Sequence, residues 1–462
     1  LARLVIVSNR VPTPSKAARA GGLAIALKDA IQPGTLWFGW SGHQAPQTSS
    51  EAKITNFEGV DYATIDLKQE DYQNFYVGFA NSTLWPLLHF RLGLMEFRRE
   101  NLEGYRSVNE IFAKVLAPLL RPDDIIWVHD YHLIPLADEL RRLGVKNALG
   151  FFLHIPFVPS SMFAALPRGE DLLHDFCAYD VVGFQTEEHR HDFLDSVRRI
   201  IDFPADNDGV ITACNGRKVR AVVTPIGIDS GAFRSQAIQA AKSRNTRRLT
   251  ESLVGRKLMI GADRLDYSKG LPNRFEAFNR FLERFPQHKN AVSFLQIAAP
   301  SREDVSEYAA LRHQLNRLAG DINGRHGAFD WVPLRYMSQS LARSTLAGFY
   351  RFAQIGVVTP LRDGMNLVAH EYVAAQDPED PGVLILSNFA GVAAYFEEAL
   401  IVNPYDPDEI AEAMHEAMVM SKEERQSRHK RLFEKLQTLS AQAYCDQFLK
   451  ALSGAQLTRA AA

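Results

Sequence analysis

The stretch that most constrains the fold is Ile355-Gly356-Val357-Val358 followed by Thr359-Pro360-Leu361-Arg362-Asp363-Gly364-Met365-Asn366-Leu367-Val368-Ala369-His370-Glu371. The short apolar run reads as a strand buried on both faces, and the apolar spacing that continues through Tyr372, Val373 and Ala374 reads as a helix. A strand passing through a glycine turn into a helix is the repeating unit of a doubly wound α/β sheet. The first turn of such a helix offers unpaired backbone N–H groups and a partial positive charge, which suit a phosphate. Gly364 lets backbone and ligand approach closely. Asp363 and Glu371 are eight residues apart, so one carboxylate sits at the mouth of the turn and the other about two helical turns deeper. Two carboxylates so spaced can hold sugar hydroxyls, although a plain loop with Asp363 near an N-cap would carry the same residues.

The same unit recurs along the chain. Leu4-Val5-Ile6-Val7 predicts a strand ending at Ser8-Asn9-Arg10, then a Pro- and Ser-containing loop, Ala20-Gly21-Gly22-Leu23 and a helix over 24–31. Arg10 at the strand end can fork onto a phosphate or make a surface ion pair. Ile125-Ile126-Trp127-Val128 runs into His129-Asp130-Tyr131-His132, where Asp130 is a candidate hydroxyl acceptor. His129 and His132 lack a third ligand at a recognisable metal spacing. Another apolar strand ends at His154, presented by a loop that Pro156 and Pro159 stiffen.

The chain has 462 residues, more than one core absorbs, so two domains of about 200 residues are expected. After Val181-Val182-Gly183-Phe184, a hairpin near Asn207-Asp208-Gly209 and the strand before Asp229, the polar stretch Ser235 to Arg247 marks a composition shift. The boundary is placed at residue 229: a first domain over 1–229, joined by a C-terminal helix over 440–462, and a second over 230–439. The second domain opens on Lys257-Leu258-Met259-Ile260-Gly261, and Arg264 and Lys269 then flank a loop before a helix with Phe275, Phe278, Leu282 and Phe285. Two cations at a helix entrance suit a diphosphate, and isolated ones are as often solvated surface groups. Asp406 is placed to cap a helix start, and the segment from Glu423 to Leu452 lacks glycine and proline, so it should form one long helix or two. Trp37, Trp40, Tyr76 and Trp85 read first as core residues, with covering the C–H face of a sugar the alternative for each.

Lys and Arg number 52 against 54 Asp and Glu, with no basic block, which argues against nucleic acid as a partner. Cys177, Cys214 and Cys445 have no metal-type spacing and suit a reducing compartment. Neither a leader-like start nor an apolar run of membrane-spanning length is visible, so a cytoplasmic protein without a membrane partner is expected.

An ordered set of motifs carries a resemblance. Val7-Ser8-Asn9-Arg10, Ala20-Gly21-Gly22-Leu23, Trp37-Phe38-Gly39-Trp40, Trp127-Val128-His129-Asp130-Tyr131-His132-Leu133, Phe152-Leu153-His154-Ile155-Pro156-Phe157, Arg264-Leu265-Asp266-Tyr267-Ser268-Lys269-Gly270 and Arg362-Asp363-Gly364-Met365-Asn366-Leu367-Val368 together resemble the trehalose-6-phosphate synthase family, from Leu4 to about Pro404. The resemblance implies two Rossmann-like α/β domains facing across a cleft, the GT-B type, and a retaining transfer of glucose from a nucleoside diphosphate glucose, usually UDP-glucose, to glucose 6-phosphate. It assigns Arg10, Tyr76, Trp85 and Arg302 to the acceptor and its phosphate, Arg264 and Lys269 to the donor diphosphate, and Glu371 to the ribose. Asp130, His154 and Asp363 would contact the two sugars, and Gly22 with the Asn366-Leu367-Val368 backbone the donor. Asp130, His154, Arg264, Lys269 and Asp363 form the implied catalytic set, with no metal and no cofactor beyond the substrates. A homo-oligomer is expected. Tyr395 stands where the family's pattern has an acidic residue, which bears on donor binding. A related transferase using another phosphorylated acceptor, such as glycerol 3-phosphate, and a non-catalytic sugar-phosphate sensor fit the same motifs.

Overall fold

The computed structural model describes residues 2–11, 27, 31–302 and 306–460. The chain divides into two compact units, Leu1–Ile226 with Ala441–Ala462, and Gly227–Ser440.

The first unit is built on β1 (Leu4–Arg10), β2 (Leu36–Ala45), β3 (Lys53–Phe57), β4 (Val60–Lys68), β5 (Ile125–His129), β6 (Ala148–Phe152), β7 (Val181–Phe184), β8 (Val210–Thr212) and β9 (Lys218–Val223). Among the described residues they form one sheet in the order β3-β4-β2-β1-β5-β6-β7-β9-β8, parallel except where β3 meets β4 and β8 meets β9. Val5, Ile6 and Val7, and likewise Ile126, Trp127 and Val128, are buried on both sheet faces, as helices on each side require. The chain builds outward from β1 through β2, then returns to β1's other edge as β5, where Ser8 pairs with His129. That reversal is the switch point at which such sheets bind ligands, and Arg10 and Asp130 lie at its carboxyl end.

The second unit has β10 (Lys257–Arg264), β11 (Val292–Ala299), β12 (Leu334–Met337), β13 (Ile355–Val358), β14 (Val383–Ser387) and β15 (Leu400–Val402), all parallel in the order β12-β11-β10-β13-β14-β15. Its switch point lies between β10 and β13, so Arg264 and the loop after Val358 share one carboxyl edge.

The polar stretch after Asp229 is helical: Ser230–Ala240 and Arg244–Leu253 are capped by Asp229 and Ser243, whose side chains accept from Ala232 N–H and Thr246 N–H. Phe233, Ala237, Ala240, Thr246 and Leu253 are the buried residues of these helices, too sparse to show as a stripe. The C-terminal segment forms two helices, Lys422–Thr438 and Ala441–Ala460. The last returns to the first unit, where Phe448 stacks on Trp127 at 4.7 Å and Tyr444 meets the edge of Phe152 at 4.8 Å. Asp406 caps its helix, accepting from Asp408 N–H and Glu409 N–H. The hairpin expected near Asn207-Asp208-Gly209 is present, closed by Asp206 N–H to Val210 O at 3.1 Å and an antiparallel bridge between Ala205 and Ile211, and a second turn joins Thr212 to Lys218. Gly22 and most of the helix expected over 24–31 lie outside the described residues. Among the described residues no helix is long and apolar enough to cross a membrane.

Candidate active site

In the first unit, the residue after β5 is Asp130, at φ 75° and ψ 164°, a positive-φ conformation costly for a residue with a side chain. Bonds on both sides hold it there. Asp130 N–H donates to Phe152 O at 2.9 Å, and Asp130 Oδ1 accepts from His154 N–H at 3.3 Å. The carboxylate is thereby fixed across the ends of β5 and β6.

His154 points its Nε2 at His129 Nδ1, 3.1 Å away, with the rings stacked at 5.3 Å. Burial keeps both imidazoles neutral: it pushes His154 down to about 3, and His129 falls well below its ordinary value with His154 adding to the effect.

Tyr76 stands on a π-helix, Tyr72–Leu84, that runs directly into the short helix Trp85–Leu88. Side chains reinforce its wide turns, with Asn81 Nδ2 donating to Tyr76 O and Ser82 Oγ to Val77 O, each at 2.9 Å. Tyr76 stacks on His132 at 5.7 Å and packs on Trp40 at 6.1 Å, and the Arg10 guanidinium lies 5.8 Å from the Trp40 ring. Gly42, at φ 88°, makes room, since a Cβ there would come 2.6 Å from that guanidinium. Arg10, Trp40, Tyr76 and His132 are thus one connected group. Trp85 is buried beside it, 4.0 Å from His89 and 5.6 Å from Tyr131.

In the second unit, Arg264 ends β10 exposed, and the loop after it carries Lys269 against the loop after β13. Lys269 Nζ donates to Asp363 Oδ2 at 2.6 Å, and Asn366 Nδ2 donates to the same oxygen at 2.9 Å. Asn366 takes a left-handed conformation, φ 80°, and its Oδ1 accepts from Val368 N–H, capping the helix Leu367–Ala375. Cation, carboxylate and helix N-terminus therefore meet at one point. The loops after β13 and β14 are zipped beneath it by Asp363 N–H to Phe389 O, Gly391 N–H to Asp363 O and Val392 N–H to Met365 O. Gly391 permits the crossing, because a Cβ there would lie 1.9 Å from Gly364 O.

Two contacts escape sequence reasoning. Arg274 is fully buried, its guanidinium bonded to Asp263 Oδ2 (2.6 Å), Gln296 Oε1 (2.9 Å) and Thr359 Oγ1 (3.0 Å), which ties β10, β11 and the end of β13 together under the Lys269 loop. Arg343, stacked 4.7 Å over Phe233, donates to Glu371 Oε1 at 2.7 Å. Burial raises the Glu371 carboxyl, and Arg343 opposes the rise. A helix spacing of eight from Asp363 gives Glu371 its depth but not this partner.

Arg302, grouped with the acceptor residues by resemblance, belongs to the second unit, whereas Arg10, Tyr76 and Trp85 belong to the first. It sits at φ 48° and donates to Tyr308 Oη at 2.7 Å and to Asp266 Oδ2 at 3.3 Å. Tyr395 follows the short turn Gly391–Ala394, half-buried, its N–H donating to Val392 O at 2.9 Å. Among the described residues no group of three or more His, Cys, Asp or Glu is placed to hold a metal ion.

Each unit thus presents polar groups at its own switch point. The second offers cations and a helix N-terminus beside a carboxylate, a chemistry for anions next to hydroxyls. The first offers a carboxylate, neutral imidazoles and an arginine among aromatic rings.

The sequence profile of glycosyltransferase family 20 matches residues 3–454. A trehalose-6-phosphate synthase of Sinorhizobium fredii is 47% identical over 458 residues, covering 98% of each chain. An α,α-trehalose-phosphate synthase (UDP-forming) from Burkholderia xenovorans, solved in complex with glucose-6-phosphate, matches with a TM-score of 0.94 at 46% identity, over 98% of this chain and 100% of that one. An E. coli structure bound with UDP-2-fluoro glucose matches with a TM-score of 0.92 at 44% identity, over 98% and 99%.

Proposed function

The chain belongs to glycosyltransferase family 20, and from that premise we propose that it transfers glucose from UDP-glucose to glucose 6-phosphate with retention, releasing UDP and α,α-trehalose 6-phosphate. The observation that carries this reading is the meeting of Lys269, Asp363 and the Leu367–Ala375 helix start at one switch point. Supporting it, the relatives similar to this chain from end to end are trehalose-6-phosphate synthases, and the two solved structures hold glucose-6-phosphate and UDP-2-fluoro glucose.

In this reading Lys269 exchanges its carboxylate for diphosphate oxygens, and Arg264 adds a second cation. The Leu367 and Val368 N–H groups and Asn366 face the donor, as does Gly22, while Glu371 takes the ribose hydroxyls. Asp363, Asp130 and His154 hold sugar hydroxyls. Arg10, Tyr76, Trp85 and Arg302 receive the acceptor and its phosphate. The second unit is then chiefly the donor domain and the first chiefly the acceptor domain.

The bond from the glucose anomeric carbon to the diphosphate oxygen breaks, and the acceptor hydroxyl oxygen bonds to that carbon on the same face. Its proton passes to the departing phosphate oxygen. No protein nucleophile is required, so catalysis consists of positioning and of stabilising negative charge on the diphosphate. Lys269 and Arg264 supply that stabilisation.

Product analysis tests the reading. Donor labelled with ¹³C at the anomeric carbon, incubated with glucose 6-phosphate, should give a product whose two anomeric centres are both α by NMR couplings. A β-linked product, or free glucose alone, would refute it.

A further inference from the structure

His129 lies behind His154 and has no part in the scheme above, yet the two rings share one hydrogen bond, His129 Nδ1 to His154 Nε2 at 3.1 Å. Both are neutral, so each ring carries one N–H and one lone pair. Two arrangements satisfy the shared contact. If His154 Nε2 were the donor, His129 would carry its proton on Nε2. That atom is shut off from solvent, and among the described residues it has no hydrogen-bond partner. A buried N–H without an acceptor is more costly and rarer than a buried bare lone pair. The opposite arrangement leaves only the lone pair bare. His129 then holds its proton on Nδ1 and donates, and His154 accepts at Nε2 and carries its own proton on Nδ1.

The surroundings fix both rings in place. Trp127 packs on His129 at 4.6 Å, and Phe152 packs on His154 at 4.7 Å, with Tyr444 of the last helix 6.3 Å away. His129 is fully buried and His154 only partly, so the nitrogen of His154 left to meet a ligand is Nδ1.

We propose that His129 is a positioning residue that sets the tautomer of His154, so that His154 meets a sugar hydroxyl as a hydrogen-bond donor through Nδ1–H. The proposal rests on the assignment of His154 to a sugar. Beside it the Asp130 carboxylate can only accept. A sugar hydroxyl both gives and takes a hydrogen bond, so a donor and an acceptor side by side read it from both sides.

Long-range ¹H–¹⁵N spectra of the ligand-free enzyme, labelled at histidine and assigned with His129→Asn and His154→Ala, report each tautomer directly. Protons on Nδ1 of both rings are expected, and a proton on Nε2 of His154 overturns the proposal whether or not the enzyme makes the expected product. Kinetics give the second readout. His129→Leu should lower turnover on the order of tenfold to a hundredfold through a misdirected His154. His129→Asn, whose amide can donate from the Nδ1 position, should recover most of that loss, and His129→Gln should not. In a His154→Ala background the His129→Leu change should have no further effect, and additive losses would contradict an action through His154. Should His129→Leu not fold, the Asn and Gln variants and the spectra decide.

Discussion

Lys269 Nζ lies 2.6 Å from Asp363 Oδ2, although 94 residues separate them in sequence. The pair joins the loops that follow β10 and β13, the two strands flanking the second unit's switch point. Both side chains are largely shielded, at 10% and 16% exposure, so the pair is strong enough to position the lysine and open enough for a diphosphate to compete for it. Lys269→Ala should therefore lower kcat by about a hundredfold or more, the usual loss when a group stabilising transition-state charge is removed. Steady-state rates beside a thermal melt check this: wild-type turnover in a folded Lys269→Ala protein would remove the lysine from the mechanism.

The Arg343–Glu371 pair predicts a pH signature. Burial already raises the Glu371 carboxyl, and Arg343 is the group that opposes it. Arg343→Met should raise the carboxyl further, leaving Glu371 less ionised at any given pH and less able to hold a ribose. The donor KM of the variant should exceed the wild-type value and fall back toward it as the pH is raised and the carboxylate reforms. A variant KM independent of pH would break the link.

Gly391 predicts a local packing effect. Backbone cannot retreat easily from a Cβ placed 1.9 Å from Gly364 O, so Gly391→Ala should separate the two loops, costing about 1–3 kcal/mol by denaturant unfolding and lowering activity with it. Gly324→Ala, on the helix Ser306–His326 with open space around its Cβ, is the control and should be neutral or slightly stabilising.

His370 gives the sign of a stability change with pH. Burial pushes its imidazole down to about 4 from an ordinary 6.5, so below pH 6.5 the unfolded chain binds a proton that the folded one refuses. Its contribution is intact above pH 6.5 and is lost as the pH falls toward 4, by up to about 3 kcal/mol. His370→Gln should make the stability profile shallower by about one proton across that window, measured by urea unfolding from pH 4 to 7. An unchanged slope would show that His370 titrates normally.

Much of this was legible in the sequence, for a physical reason. Parallel strands buried on both faces leave apolar runs such as Val5-Ile6-Val7 and Ile355-Gly356-Val357-Val358, and the polar residues that end them fall on one sheet edge. Asp130, His154, Arg264 and Asp363 were visible on those grounds. The partners were not. Arg274, Arg343 and His129 act across 11 to 85, 28 and 25 residues of chain, and no local pattern encodes which carboxylate or ring a side chain will meet. The π-helix under Tyr76 was hidden because no local spacing marks its wide turns, which the Asn81 and Ser82 side-chain bonds reinforce. The two helices after Asp229 were lost in a polar composition that buries only a few contacts.

The central claim is a transfer between two substrates, and its most direct measurement is UDP release from UDP-glucose with and without glucose 6-phosphate. The account predicts rapid release only when both are present, with one trehalose 6-phosphate formed per UDP and no comparable stimulation by glycerol 3-phosphate. Release that ignores glucose 6-phosphate, or no release with it, would contradict the account.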